Sequence, residues 1–371
     1  MIKVFLVCSG LGHVNRGFES FTQECFDALS TEPSLDITLF KGGGESSKQA
    51  ITLWNLPRNS WTAIQLGKIT GISAYSLEEA SFTLSLLPYI VRENPHIIYY
   101  SDIIVGSWVW HWRRLTKQSY KILLSNGSPV YPPFLRYDYV QQLTPTHFQA
   151  ALKGGWLAEK QSLVPYGINM PEQLELLSNT EREALRLQLE LPAVRPLIIS
   201  VAAINKKHKR LDYVIREIAT LPEPRPYLLL LGQREAESAE IADLGNKLLG
   251  VDNFQIRTVA HHHITDYYKI ADVFVLASLW EGFGLVFLEA MSHGLPCLAH
   301  DYEVARFVLG KEGYFANFEL TGSLAGLICQ VLAEGDNESK RRQRHRSVYD
   351  RFSWDRLRPA YVKLIQDCAN C

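Results

Sequence analysis

No stretch of this 371-residue chain approaches the roughly 18 consecutive apolar residues of a membrane span, so a protein built of spanning helices is not expected. Charge of one sign is also missing. Thirty-eight Lys and Arg stand against 39 Asp and Glu, a net charge of −1, and no global field draws the chain onto nucleic acid or anionic lipid. The six cysteines are scattered at 8, 25, 297, 329, 368 and 371 and make no disulfide framework, which fits a reducing compartment. Cys368 and Cys371 form one C-x-x-C without the second pair a zinc site needs. The opening "MIKVFLVCSG" lacks the basic start, long apolar segment and cleavage site of a signal peptide and reads as a first β-strand. A cytoplasmic protein, at most peripheral to a membrane, is expected. Internal repeats, low-complexity tracts and a D-x-D triplet are absent too.

What is present is an alternation. Hydrophobic residues make up 47% and charged residues 21%, ordinary values for a globular enzyme, and the length predicts two domains. Short β-branched runs ("KVFLVC", "LDITLF", "HIIYYS", "YKILLS", "YVQQLT" and "QSLVPY", then "PLIISVA", "YLLLLG", "NFQIRTVA", "DVFVLAS" and "PCLAH") alternate with helical patterns at 17–29, 78–93, 209–220, 236–249, 284–293 and 323–334. Strand and helix in alternation, without hairpins, predict an α/β fold with parallel sheets. The pattern weakens between 168 and 195, a polar, proline-bounded stretch read as an interdomain connection containing a helix. Two doubly wound Rossmann-like domains follow, at 1–168 and 169–352. Ligands of such sheets bind beyond the carboxyl ends of strands, so a ligand shared by two such ends would lie in an interdomain cleft.

The segment "SLWEGFGLVFLEAMSHGLP" (278–296) carries the strongest chemical signal. A helix beginning near Phe283 or Gly284 would offer its free N–H groups to an anion, with Gly282 and Gly284 permitting close approach. Glu281 sits in the loop ahead, placed to accept hydrogen bonds from sugar hydroxyls. Glu289 falls among Leu285, Val286, Phe287, Leu288, Ala290 and Met291, where a carboxylate needs donors. A ribose diol would supply them; a surface or salt-bridged Glu on an ordinary core helix is the alternative.

"ADVFVLASLWEGFGLVFLEAMSHGLPCLAHD" resembles the signature of retaining glycosyltransferases of the GT-B fold, glycosyltransferase family 4 in particular, with its E-x7-E pair. "YLLLLGQ", "KIADV" and "LVPYGIN" extend the likeness, strongly over about 160–310. The resemblance implies that Glu281 contacts the donor sugar, Glu289 the ribose, and the backbone of Gly282, Phe283, Gly284 and Leu285 the sugar and phosphates. "SVAAINKKHKRLD" resembles the family's second donor motif, in which an Arg and a Lys neutralise the departing diphosphate. Lys209 falls on the Lys position, but Ala203 stands where the Arg belongs, leaving Lys206, Lys207 or Arg210 to supply the charge. "SGLGHVNRGFES" resembles the Gly-rich loop over the donor; Gly12 matches the first Gly and His13 replaces the second. Asn126, in "KILLSNGSPVYPP", occupies the place where members often carry an acceptor-side His. "FSWDRLRPAYVKLI" resembles the terminal helix that returns to the first domain, which assigns 353–371 to that domain.

The implied reaction is metal-independent sugar transfer from a nucleotide-sugar, a UDP-sugar first, to a hydroxyl on a glycan, lipid-linked sugar or small metabolite, as in polysaccharide biosynthesis. Lys209 would stabilise the diphosphate and Glu281 orient the sugar. Two other readings stand beside it: a nucleotide-sugar epimerase on the same fold, and a degenerate nucleotide-sugar-binding protein, for which Ala203 and Asn126 speak. "HHH" at 261–263 reads as a structural loop and "KRRQRHR" at 340–346 as a solvated helix face or a contact for lipid or a partner. "WVWHWRR" at 108–114 reads as buried packing, a sugar-stacking surface or a membrane-interface contact.

Overall fold

The apolar runs become strands because each can be covered on both sides, as a parallel sheet between helix layers requires. The computed structural model describes residues 1–14, 16–127 and 130–371. Two compact units are formed, one by Met1–Asn169 with Trp354–Cys371 and the other by Met170–Ser353.

The first unit holds β1 (Ile2–Cys8), β2 (Leu35–Lys41), β3 (Ala50–Thr52), β4 (Ile97–Tyr100), β5 (Lys121–Ser125), β6 (Tyr139–Gln142) and β7 (Gln161–Leu163). All are parallel, in the order β3-β2-β1-β4-β5-β6-β7. Phe5 lies opposite both Thr38 and Ile98, so β1 is central and the strand order reverses between β1 and β4. Phe5, Phe40, Phe82, Ile98 and Val109 share one buried cluster. The helix Trp354–Asn370 completes this unit. The Phe21 ring stacks on Tyr166 at 3.8 Å and lies 6.1 Å from the Trp354 ring. Tyr361, fully buried, donates to the Pro165 carbonyl at 2.8 Å and accepts from Gln141 Nε2 at 3.0 Å.

The second unit holds β8 (Leu197–Val201), β9 (Tyr227–Leu231), β10 (Phe254–Arg257), β11 (Val273–Leu276), β12 (Cys297–His300) and β13 (Tyr314–Ala316). They too are parallel, in the order β10-β9-β8-β11-β12-β13. Here the order reverses between β8 and β11, where Val273 pairs with Ile198. Buried Glu217 substitutes for an N-cap on the helix Ser323–Glu334, which has no side-chain cap of its own. Its carboxylate accepts from the N–H groups of Gly322 (2.7 Å), Leu324 (3.1 Å) and Ala325 (3.0 Å). The polar connection contains the helix Asn179–Gln188, closed by a Ser178–Glu181 capping box. Arg182 and Arg186 reach Asp272 at 2.7 Å each. Burial alone would raise the Asp272 carboxyl, but the two guanidiniums and the Leu197 N–H hold it below its ordinary value.

Several elements differ from expectation. The helices Trp61–Thr70, Ile103–Thr116, Pro145–Lys153 and His261–Ile270 were not anticipated, nor were three-residue β3 and β13. The triple histidine opens a helix instead of lying in a loop; the side chain of His261 is outside the described residues. "WVWHWRR" lies on the helix Ile103–Thr116, with Trp110 and Trp112 packed on the core and Trp108 exposed. "KRRQRHR" is helical, within Glu338–Phe352, but not simply a solvated face. Arg344 and His345 are buried and bind the Gly294 carbonyl (2.7 Å) and the Ser292 carbonyl (2.6 Å) at the end of the signature helix. Among the described residues no helix is long and apolar enough to cross a membrane.

Candidate active site

Lys209 and Glu281 are 72 residues apart in the chain, and the fold brings their side chains together. Lys209 ends the loop after β8 and Glu281 lies in the loop after β11, the two neighbouring strands between which the order reverses. Ligands of doubly wound sheets bind at such a switch point. Asn205 shapes the first loop, its side-chain oxygen accepting from the N–H of His208 (3.1 Å) and of Lys209 (2.9 Å). Lys209 Nζ then reaches Glu281 Oε1 at 2.5 Å, and His208 Nε2 lies 3.9 Å from the same oxygen. The His208 ring packs on Trp280, centroids 5.0 Å apart. The Tyr302 hydroxyl is buried against the Glu281 backbone; burial, then the Glu281 charge, pushes that phenol up. The Ser278 hydroxyl is buried without a partner among the described residues.

Gly284 adopts a left-handed backbone (φ 84°) and precedes the helix Leu285–Ser292, whose start carries no side-chain cap. A side chain at 284 would meet Phe287 Cδ2 at 2.8 Å, so the turn needs glycine on both steric and conformational grounds. In the first turn the Phe287 N–H donates to the Gly284 carbonyl at 2.9 Å, and those of Leu285 and Val286 lie at the helix start, where an anion is favoured. Phe283 contributes backbone only, because its ring is buried and packs edge-on against Phe352 at 5.9 Å. Glu289 is half-buried, not enclosed as its apolar neighbours suggested, and Oε2 accepts from the Tyr268 hydroxyl at 2.9 Å. Tyr268, raised mainly by burial and next by Glu289, stacks on His293 at 5.5 Å.

Of the cations considered for the diphosphate, two are engaged elsewhere. Lys206 is paired with Glu240. Arg210 donates to the Phe318 carbonyl at 2.9 Å and lies over the Tyr213 ring at 4.5 Å, which directs it away from Glu281. Lys207 is exposed.

In the first unit, Gly12 adopts φ 90° and its α-carbon is so close to Gly43 that a side chain would stand 2.4 Å from that backbone. The Gly43 N–H donates to the Leu11 carbonyl at 2.9 Å, so the loop after β1 is stitched to the glycine run 42–44 after β2. His13 is exposed beside it. Asn126, expected on the acceptor side, is held within the fold. It is buried, and its amide donates to Gln142 Oε1 (2.9 Å) and the Val130 carbonyl (3.1 Å) while accepting from the Val130 N–H (2.7 Å). Residues 15, 128 and 129 of the two quoted loops lie outside the described residues.

A feature the sequence did not announce lies at the β1–β4 reversal. Four carboxylates, Glu19, Glu78, Glu79 and Asp102, are buried there around Arg58 and Tyr75. Arg58 Nε binds Glu78 at 2.9 Å and stacks over Tyr75 at 4.3 Å. Asp102 accepts from Tyr75 (3.0 Å) and Ser9 (3.2 Å). Burial foremost, then the Asp102 charge, pushes Glu79 up to about 8. "SLEEAS" reads as ordinary helix surface, and nothing local betrays that both glutamates turn inward.

The second unit is similar to known proteins. A model described as glycosyl transferases group 1 matches residues 181–348. D-inositol 3-phosphate glycosyltransferase of Xylanimonas cellulosilytica is 27% identical over 188 residues, 49% of this chain and 45% of its own length. A lipopolysaccharide core biosynthesis glycosyltransferase of Rhizobium meliloti is 28% identical over 184 residues, 48% of this chain and 52% of its own. The chain thus spans about half the length of the curated relatives it matches. Solved structures align over nearly all of it. Sucrose-phosphate synthase from Thermosynechococcus elongatus covers 99% of this chain and 98% of its own at a TM-score of 0.78 and 20% identity. Anabaena HepE in complex with UDP-glucose covers 100% and 99% at 0.73 and 14%. At those identities the likeness establishes the fold, the GT-B architecture of two Rossmann-like domains. Over residues 181–348 this chain is thus similar to the glycosyl transferases group 1 family, on a GT-B fold.

Proposed function

We propose that the protein transfers a hexosyl group from a nucleotide-sugar to a hydroxyl acceptor with retention at the anomeric carbon and without a metal. The observation that carries the reading is the Lys209–Glu281 pair, set at the sheet's switch point beside the uncapped helix start behind Gly284. A diphosphate seated on those N–H groups would draw the Lys209 ammonium off Glu281. The freed carboxylate would then accept hydrogen bonds from the donor sugar, so one exchange readies both groups. The C1–O bond to phosphate breaks, the acceptor oxygen bonds to C1 on the same face, and its proton passes to the departing phosphate. Glu289, which accepts from Tyr268, would bind the ribose diol. HepE, similar in fold, is described with UDP-glucose, and UDP is the first base to test. The acceptor is a glycan, a lipid-linked sugar or a small metabolite.

A second reading, a nucleotide-sugar binder without turnover, is favoured by one observation: Ala203 stands where a second cation belongs. Nucleotide release from UDP-, GDP- and ADP-sugars, with a mixture of lipid and oligosaccharide acceptors, separates the two. Acceptor-dependent release with one donor, lowered about 100- to 1,000-fold by Lys209→Ala and lost in Glu281→Ala, supports the transferase. Tight binding with no release favours the binder, and rates unchanged by EDTA support the metal-free reading.

A further inference from the structure

A departing diphosphate carries two negative charges near C1, and one ammonium neutralises only part of them. Around Glu281 the loop after β8 supplies several cations, but Lys206 is committed to Glu240, Arg210 to the Phe318 carbonyl, and the Lys207 side chain is exposed. Ala203 has no charge to offer. His208 differs from these. Its N–H is fixed on Asn205, as is that of Lys209, so the two side chains leave the same turn together. Its ring rests against Trp280, and Nε2 is buried with no hydrogen-bond partner among the described residues. That nitrogen converges on the same Glu281 oxygen as Lys209 Nζ, at 3.9 and 2.5 Å. A polar atom hidden from water without a partner is costly, and such an atom within a ligand site calls for an acceptor from the ligand.

We propose that His208, as imidazolium, is the second cation for the donor diphosphate, in the role left vacant at Ala203. The inference rests on the donor-site reading above. It adds a consequence that an arginine would not produce. Histidine is the side chain whose charge ordinarily changes between roughly pH 5 and 8, so donor affinity becomes pH-dependent. The charged groups beside the imidazole are Glu281, from the loop after β11, and Lys209, which shares that carboxylate oxygen; Tyr302 is buried against Glu281 in turn.

The test is calorimetric affinity for UDP-glucose, ADP-glucose and GDP-mannose from pH 5.5 to 8.5. These are diphosphate diesters, so the ligand does not itself titrate in that range. For the donor that binds, the wild-type affinity should fall about tenfold as the pH rises, consistent with loss of one hydrogen bond to a charged group. His208→Gln should bind at the weaker, high-pH level throughout. Adding Ala203→Arg to His208→Gln should restore tight binding with a flat profile, a rescue that a structural role for His208 would not allow. Equal thermal melting of wild type and His208→Gln keeps misfolding out of the comparison. Binding with the same pH profile in wild type and His208→Gln overturns the role of His208 and leaves the donor site standing. Binding of none of the three sugars at any pH overturns the donor-site reading and this proposal with it.

Discussion

Removing one member of the Lys209–Glu281 pair strands the other, and the fold makes that cost measurable before any substrate is known. The two side chains keep 17% and 12% of their surface exposed, so the pair sits between an exposed ion pair, worth about 0–1 kcal/mol, and a fully buried one, whose breaking costs about 3–5 kcal/mol. Lys209→Met should therefore destabilise the second unit by about 2 kcal/mol, because the Glu281 carboxylate loses its direct partner and is left with His208 at 3.9 Å. Glu281→Gln should cost about 1 kcal/mol, since the amide oxygen still accepts from Lys209. The double variant should be more stable than Lys209→Met alone, with a coupling energy of about 1–2 kcal/mol. In urea, with a slope of about 2 kcal/mol/M, the Lys209→Met midpoint falls by about 1 M, followed by far-ultraviolet circular dichroism. Additive effects in the double variant, within about 0.3 kcal/mol, would refute the pairing in the ligand-free state and with it the exchange proposed on donor binding.

Other consequences are equally open to measurement. Glu79, raised from 4.5 to about 8 by burial and then by Asp102, holds its proton in the fold at pH values where the unfolded chain has lost it. Its contribution is full below about 4.5 and is lost as the pH rises through about 8, so urea stability should drop by roughly 1–3 kcal/mol between pH 6 and 9. Glu79→Gln should flatten that slope, and a slope unchanged in the variant would locate the titration elsewhere. Glu217→Ala leaves three helix-start N–H groups unserved and should cost about 3–5 kcal/mol, with Glu217→Gln recovering part; thermal melting of both variants gives the comparison. Gly284→Ala forces φ 84° on a β-carbon lying 2.8 Å from Phe287 Cδ2. It should lose about 1–2 kcal/mol and weaken nucleotide-sugar binding in titration calorimetry, since the helix start must shift.

How far the sequence reaches can be followed residue by residue. Alternation of apolar runs with amphipathic ones predicts parallel sheets because covering both faces of a strand is a local compositional demand. The E-x7-E segment is equally local: eight positions span the loop and little more than the first turn of the helix after it. What sequence cannot supply is the destination of a long side chain. Arg210 stands next to Lys209 in the chain, yet its guanidinium goes to the Phe318 carbonyl 108 residues away. Asn126 is polar by type and buried by context, its amide holding Val130 and Gln142. Glu289 looked enclosed because its neighbours are apolar, whereas the helix leaves it half-open, with a tyrosine from 21 residues upstream as partner. Three-residue strands such as β3 carry too few residues for periodicity to register.

The split membership of the first unit bears on how the protein is made. Translation emits residues 1–169, then all of 170–353, and only then the helix Trp354–Asn370. At roughly 5–20 residues per second, the interval lasts about ten to forty seconds. Throughout it the nascent first unit shows the ribosome exit and its chaperones the bare Phe21 ring that Trp354 and Tyr361 later pack against. The second unit, contiguous in the chain, can fold to completion during that wait. A lesion that slows it, such as Glu217→Ala, would therefore show itself as aggregation nucleated by the other unit, whose own sequence is unchanged.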